Sequence, residues 1–347
     1  MLHREQFGKM RNSIGTSVIL TLFGESHGEA VGAVLDGLAP GITVDEGYIA
    51  LQLSKRRPTG AADTARREPD EFRIISGVFN GTTTGAPLCI IIPNTDVRSA
   101  DYAANAGLPR PSHADFTAHV KYNGFEDWRG GGHFSGRITA AIVAAGAILL
   151  KALETKGVAI DTRIIECAGI TDKGGFEDAV LKAKADGDSV GGIVRTEITG
   201  LEAGLGEPWF DSLEGAISRA VFAIGGVKGI EFGAGFGIAR MSGSQANDQF
   251  CVTDGRIETV TNYSGGVNGG ISNGMPVVFN TAVKPTPSIS RPQKSVNLES
   301  GAETTLEITG RHDPAIVRRI SPVITAMTAI VLADMIALRH GTGYLAE

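Results

Sequence analysis

The chain has 347 residues, with 32 Lys and Arg against 38 Asp and Glu, a formal charge of −6. Its 42% hydrophobic and 20% charged residues supply a large core, which excludes a disordered chain, and the acidic balance weighs against a dedicated nucleic-acid binder. Cys89, Cys167 and Cys251 are too few and too scattered for a disulfide framework or a zinc ribbon, which fits a reducing, cytoplasmic setting.

Taken in chain order, the opening MLHREQFGKMRN has no apolar run long enough for an export signal. Strand-like runs of β-branched and apolar residues follow at Val18–Phe23, Ala33–Asp36, Arg73–Phe79, Leu88–Ile92, Ile193–Thr199, Val277–Lys284 and Thr304–Thr309. Thr43-Val-Asp-Glu46 reads as a capping box opening a helix that runs to Arg57 and stops at Pro58. Thr139–Leu153 is apolar on nearly every side and so predicts a helix buried on nearly every side. Asp172–Asp188 is the most polar stretch and reads as a surface excursion. Asp211-Ser-Leu-Glu214 opens a further helix that Gly225-Gly226 closes, and Asp313-Pro314 places an Asp N-cap on the last long helix, which Pro322 bends. Thr139–Leu150 and Pro322–Ala333 fall short of the ~18–20 apolar residues of a membrane span. Strands and helices do not alternate regularly, so the pattern predicts an α+β fold of one domain over 1–347, with antiparallel sheets packed on helices.

Glycine is 47 of the 347 residues, about twice the usual ~7%, and several glycines fall beside chemically active side chains. FGESHG at 23–28 exposes Ser26 and His27 after a strand, and histidine is the natural proton carrier near neutral pH. Lys55-Arg-Arg57 with Arg66 and Arg67 is either a helix-end charge cluster or a guanidinium site for a polyanion. Pro109 and Pro111 stiffen the loop carrying Arg110 and His113. In Trp128–Arg137 three glycines run into a helix start, an arrangement suited to phosphate. Lys284, Thr286 and Ser288 offer charge and hydroxyls after a strand, and Arg311 and Asp313 follow in GRHDP. No metal-ligand spacing occurs among these clusters.

FGESHG at 23–28, RPSHAD at 110–115, RGGGHFSGR at 129–137, GLGEPWFD at 204–211, GGVKGIEFG at 225–233, KPTPSIS at 284–290 and GRHDP at 310–314 together resemble the chorismate synthase family, in its order and over nearly the whole chain. Two departures stand out. His133–Phe134 replaces an Arg–Ser pair of many members and Ile138 replaces a Glu, while the loop after Pro58 is shorter and lacks an arginine.

The resemblance implies a β-α-β sandwich and a 1,4-anti elimination of phosphate from 5-enolpyruvylshikimate 3-phosphate, giving chorismate. It implies reduced FMN without net redox and a homotetramer; the length predicts an external flavin reductant, and the acidic charge and short apolar stretches predict no nucleic-acid or membrane partner. By the same resemblance His27 protonates the leaving phosphate, His113 keeps the reduced flavin in its protonation state, and Asp313 joins the relay taking the C6 proton through flavin N5. Ser26, Arg56, Arg57, Arg110, Arg137 and Arg311 match substrate-binding positions. His133, Phe134, Ser135, Gly225, Gly226, Gly269, Lys284, Pro285, Thr286, Pro287, Ser288 and Arg311 match flavin-binding ones. The rival readings are another flavin enzyme on this fold, consuming NAD(P)H stoichiometrically, and a non-catalytic binder of phosphate or nucleic acid. His119 and His340, without a comparable glycine or proline setting, serve as controls.

Overall fold

The computed structural model describes residues 10–58, 60, 69–95, 107–308 and 313–346. Two antiparallel sheets face each other across a pair of long helices. The first sheet runs, in spatial order, Ser13–Ile14, Ile19–Gly24, Ala30–Asp36, Leu88–Pro93 and Arg73–Ser76. The second runs Val227–Phe232, Val277–Val283, Gly192–Thr199 and Ala159–Cys167. Leu88, Ile90 and Ile92 are buried while the residues between them are half-buried, the period-two pattern of a strand with one face in a core.

The helix Thr139–Thr155 lies on the first sheet and the helix Val317–His340 on the second, and the two helices pack on each other. This sheet–helix–helix–sheet layering realises the expected sandwich. Every residue from Ala140 to Leu150 is buried. Small residues are what let the helices meet: a Cβ added to Gly146 would stand 2.6 Å from the Ala326 Cβ and 2.7 Å from its carbonyl oxygen. Both helices have the length and composition to cross a membrane, beyond what the short apolar stretches predicted. Most of each helix, however, is buried inside the protein, so the sandwich core takes the place of lipid. Asp334, on the last helix, accepts from the backbone N–H groups of Ser17 and Val18 at 2.6 and 2.8 Å, tying the first hairpin to it.

Several element boundaries differ from expectation for local reasons. Asp45, not Thr43, caps the first helix, accepting from Tyr48 N at 2.9 Å, and that helix spans Glu46–Ser54. Ser212 rather than Asp211 caps Leu213–Val221. Arg73–Phe79 breaks into two strands at Gly77, whose φ is +85° and whose Cβ would lie 2.4 Å from the Leu88 Cα. The polar stretch after Asp172 contains the helix Phe176–Ala185, with Val180 fully buried against the body of the protein. The final helix starts at Val317, so Asp313 caps only the preceding turn, through Ala315 N at 3.1 Å. The last predicted strand spans Glu303–Leu306, and Thr309 lies outside the described residues. The strand Ala159–Cys167 was not expected; its alternation is broken at Ile164–Ile165–Glu166, where the register shifts.

Alanine is ordinarily about 1 kcal/mol better than glycine inside a helix. At Gly146 the backbone clash outweighs that gain, so Gly146→Ala is expected to destabilise the fold by ~1–3 kcal/mol. Urea denaturation measures it, and a raised midpoint would contradict the close helix crossing.

Candidate active site

One end of the sandwich opens into a cavity of about 860 Å³, near the top of the roughly 300–1,000 Å³ usual for small-molecule sites. Its wall is assembled where several elements end together: the turn after Ile19–Gly24, the loop after Val277–Val283, and the starts of both central helices. Those helix starts direct the positive ends of two long dipoles toward the cavity, which favours an anionic occupant.

The two expected histidines meet at one glycine segment. Gly130, Gly131 and Gly132 all have positive φ (58°, 84° and 52°). A Cβ on Gly130 would fall 2.1 Å from His27 Cε1, and one on Gly131 would fall 3.2 Å from His113 Cε1. The triplet was expected to present N–H groups to phosphate. It also does structural work: Gly131 N turns back to Trp128 O at 3.2 Å, while the Gly132 carbonyl accepts from Ser26 N at 3.1 Å. The segment is a spacer on which both rings rest.

His113 is oriented by Asp115, whose Oδ1 lies 2.6 Å from its Nδ1. The carboxylate accepts there, so Nδ1 carries the proton and Nε2 is the nitrogen left for a ligand. Arg110 grips the same carboxylate from Nε and Nη2, both at 2.8 Å. Burial pushes the Asp115 carboxyl upward, but the bonds from Arg110 and His113 outweigh it and hold it well below the usual range. Beside His27, hydrogen bonds from Arg129 keep Asp127 below the ordinary carboxylate value against a smaller burial penalty, and His27 itself adds to that.

The arginines are less exposed than a helix-end cluster would be. Arg56 and Arg137 are 5% and 6% exposed, and both pair with Asp70, itself 3% exposed. Asp70 holds a left-handed φ of +51° to sit between them. Burial lowers the Arg56 guanidinium to about 10 despite Asp70, which leaves it charged near neutrality. Arg57 donates to Pro69 O, and Arg319 bridges the Arg56 carbonyl at 3.0 Å to Asp313 at 3.1 Å. Of the two readings offered for Arg56, the exposed helix-end charge does not fit: it belongs to a buried ion network that also forms cavity wall.

Of the expected site residues, His27, His113, Asp313, Arg56, Arg57, Arg110, Arg137, Phe134, Ser135, Gly225, Gly226, Lys284, Thr286, Pro287 and Ser288 line this cavity. Ser26, His133, Gly269 and Pro285 do not. Ser26 is fully buried behind the glycine segment, and His133 is turned away to donate from Nδ1 to Gly24 O at 2.8 Å. Gly269 occupies the hairpin between Val267–Asn268 and Ile271–Ser272, and Pro285 is exposed. Arg66, Arg67 and Arg311 lie outside the described residues. His119, a control by its sequence setting, forms part of the wall with Glu126, 3.1 Å from its Nδ1. Asp70, Asn94 and Arg319 escaped the sequence reading, because single polar residues outside the recognised motifs carry no local signal of convergence, and Asp115 was seen only as part of RPSHAD, not as a partner of His113.

A flavin fits what is present. Thr286 Oγ1 is buried with no hydrogen-bond partner on this wall, and the space a Cβ would take at Gly225 is open. Among the described residues no group of three or more His, Cys, Asp or Glu is arranged to hold a metal.

An antiparallel α+β sandwich with two histidines and several cations around one deep cavity defines an enzyme for a small polyanion. The comparisons give the particular family. The chorismate synthase family model matches residues 18–337. The chain is 46% identical over 357 aligned positions to the chorismate synthase of Dehalococcoides mccartyi, covering 96% of this chain and 98% of that protein. It is 47% identical over 329 positions to that of Chitinophaga pinensis, covering 95% and 97%. A crystal structure of chorismate synthase superposes with a TM-score of 0.74 at 28% identity, covering 94% of each chain. The chain belongs to the chorismate synthase family. The family's reaction is the elimination of phosphate from 5-enolpyruvylshikimate 3-phosphate to give chorismate, a carbon–oxygen lyase step that requires reduced flavin.

Among the described residues Asp70 is the only carboxylate shown between the two buried guanidiniums of Arg56 and Arg137, so Asp70→Ala leaves buried charge uncompensated and is expected to cost ~3–5 kcal/mol of stability as well as activity. Chemical denaturation measures this, and an unchanged midpoint would contradict the buried ion network. Asp115 has a depressed folded pKa, so its stabilisation is present above the unfolded carboxylate value of about 4 and is lost as pH falls toward the folded one. The stability gap between wild type and Asp115→Asn is expected to close in acid; a gap constant from pH 7 to pH 2 would contradict the pairing.

Proposed function

We propose that the cavity carries out the family's elimination with FMN as the flavin, and that His27 and His113 divide the proton handling between them. The observation behind this reading is the shared glycine segment, which brings one imidazole from each of two distant motifs to the same wall. His27 is the candidate donor to the departing phosphate, since a leaving group that gains a proton departs with less accumulated charge. His113, its Nδ1–H engaged with Asp115, offers Nε2 to the flavin and holds the proton balance there. Lys284, Thr286, Ser288 and the Gly225-Gly226 turn are the candidate flavin contacts, with Thr286 Oγ1 free to bond to it. Reduced flavin, when bound, supplies an electron-rich ring system that stabilises electron deficiency as the C–O bond breaks. Asp313, held by Arg319 at 3.1 Å, is the candidate partner in accepting the substrate's C6 proton. The helix starts, Lys284 and Arg57 provide positive potential for the carboxylates and phosphate.

An external reductant keeps the flavin reduced, the protein works in the cytoplasm, and it assembles as a homotetramer. The hairpin Phe250–Thr259 supports assembly, because Phe250, Val252 and Ile257 are 76%, 73% and 73% exposed in the single chain, an apolar surface of the kind subunit contacts cover.

Under strict anaerobiosis with reduced FMN, chorismate is expected to exceed one equivalent per flavin; a single equivalent would contradict a reaction without net redox. His27→Ala and His113→Ala are each expected to lower turnover ~10²–10⁴-fold with substrate binding retained, while His340→Ala leaves it unchanged. Single-turnover kinetics with saturating reduced FMN makes the comparison. A near-normal rate in either variant would remove that histidine from the mechanism.

A further inference from the structure

The turn that carries His27 is clamped by a residue from another strand. Asn94, directly after Leu88–Pro93, donates from Nδ2 to the carbonyls of Glu25 and Gly28, both at 2.9 Å. Its Oδ1 accepts from Arg137 Nε at 2.8 Å. The amide orientation follows from chemistry alone: carbonyl oxygens only accept and a guanidinium only donates, so the reverse orientation would lose all three bonds. Asn94 N also donates to Glu29 O at 3.0 Å. Both ends of the Glu25–Gly28 turn are thus tied to one side chain, whose third bond reaches the buried network of Arg137, Asp70 and Arg56.

We propose that Asn94 is a positioning residue for the elimination: it fixes the His27 turn in register with Arg137, so that the proton donor and the cationic wall keep one relative placement. The inference rests on the reading of His27 as that donor. No contact of Asn94 with the substrate is required. Its effect comes through His27, and displacement of a catalytic group by about 1 Å is enough to cost ~10²-fold in rate.

Asn94→Asp separates the two ends of the clamp. It keeps an acceptor for Arg137 but sets a carboxylate oxygen against two carbonyls, releasing the turn. Turnover and KM for 5-enolpyruvylshikimate 3-phosphate are measured with saturating reduced FMN in wild type, Asn94→Asp, His27→Ala and the double variant. The expected result is a ~10²-fold loss of kcat in Asn94→Asp with KM changed less than threefold, and less than a twofold further loss of kcat when His27 is already absent. A general structural weakening would reduce kcat by the same factor in both backgrounds. If Asn94→Asp does not fold, Asn94→Ala, which removes the donor without adding repulsion, enters the same cycle. A full kcat in the Asn94 variant, or an equal loss with and without His27, would overturn the assignment of Asn94 alone. A near-normal kcat in His27→Ala would overturn the reading of His27 and the assignment of Asn94 with it.

Discussion

Gly130 and Gly131 lie with no side chain between backbone and imidazole, and that close approach is the constraint on which the site depends. A Cβ at Gly130 would lie 2.1 Å from the His27 ring, and one at Gly132 would lie 1.9 Å from the carbonyl oxygen of Asp127. All three residues hold positive φ, a region that costs an L-residue roughly 1–2 kcal/mol. Glycine is therefore required both for conformation and for room. The segment also receives Ser26 N on the Gly132 carbonyl, so the His27 turn is bonded to the surface on which its ring rests. His113 reaches the same segment from a loop more than eighty positions further along the chain.

Charge is arranged around this contact in paired form. Asp70 lies between Arg56 and Arg137, and Asp115 between Arg110 and His113. Two guanidiniums in a buried wall would repel each other without such a carboxylate, and solvation cannot compensate there. Asp70 lets two cations crowd the cavity while leaving a positive remainder, and the two helix starts add to it. The attraction for a polyanion is thus a property of the wall as a whole rather than of free arginine side chains reaching into solvent.

Much of this was legible in the sequence, unevenly. The long apolar segments announced the central helices because Thr139–Leu153 has no polar face, and the glycine-flanked histidines announced the site because turns and proton carriers coincided. Caps were misplaced by one or two residues at Asp45 and Ser212, since neighbouring Thr, Asp and Ser all bear suitable oxygens and only backbone geometry selects one. The glycine triplet's second role, as support for two imidazole rings, was not legible because its sequence signature points to anion binding. Asp70 and Asn94 were invisible for another reason: each matters only through partners far along the chain, as Asn94 does with Glu25 and Arg137. Ser26 and His133 lie beside the site in sequence but do not line the cavity: Ser26 is buried behind the glycine segment, and His133 is held by Gly24 O.

The central claim is that the glycine backbone, by direct contact, sets the His27 ring. The most direct measurement is the single-turnover rate of Gly130→Ala at saturating reduced FMN, with Gly237→Ala as the reference, because a Cβ at Gly237 meets nothing within 4 Å. The account predicts that Gly130→Ala remains folded and loses turnover to the same extent as His27→Ala, while Gly237→Ala keeps the wild-type rate. A folded Gly130→Ala enzyme that turns over at the wild-type rate would contradict it.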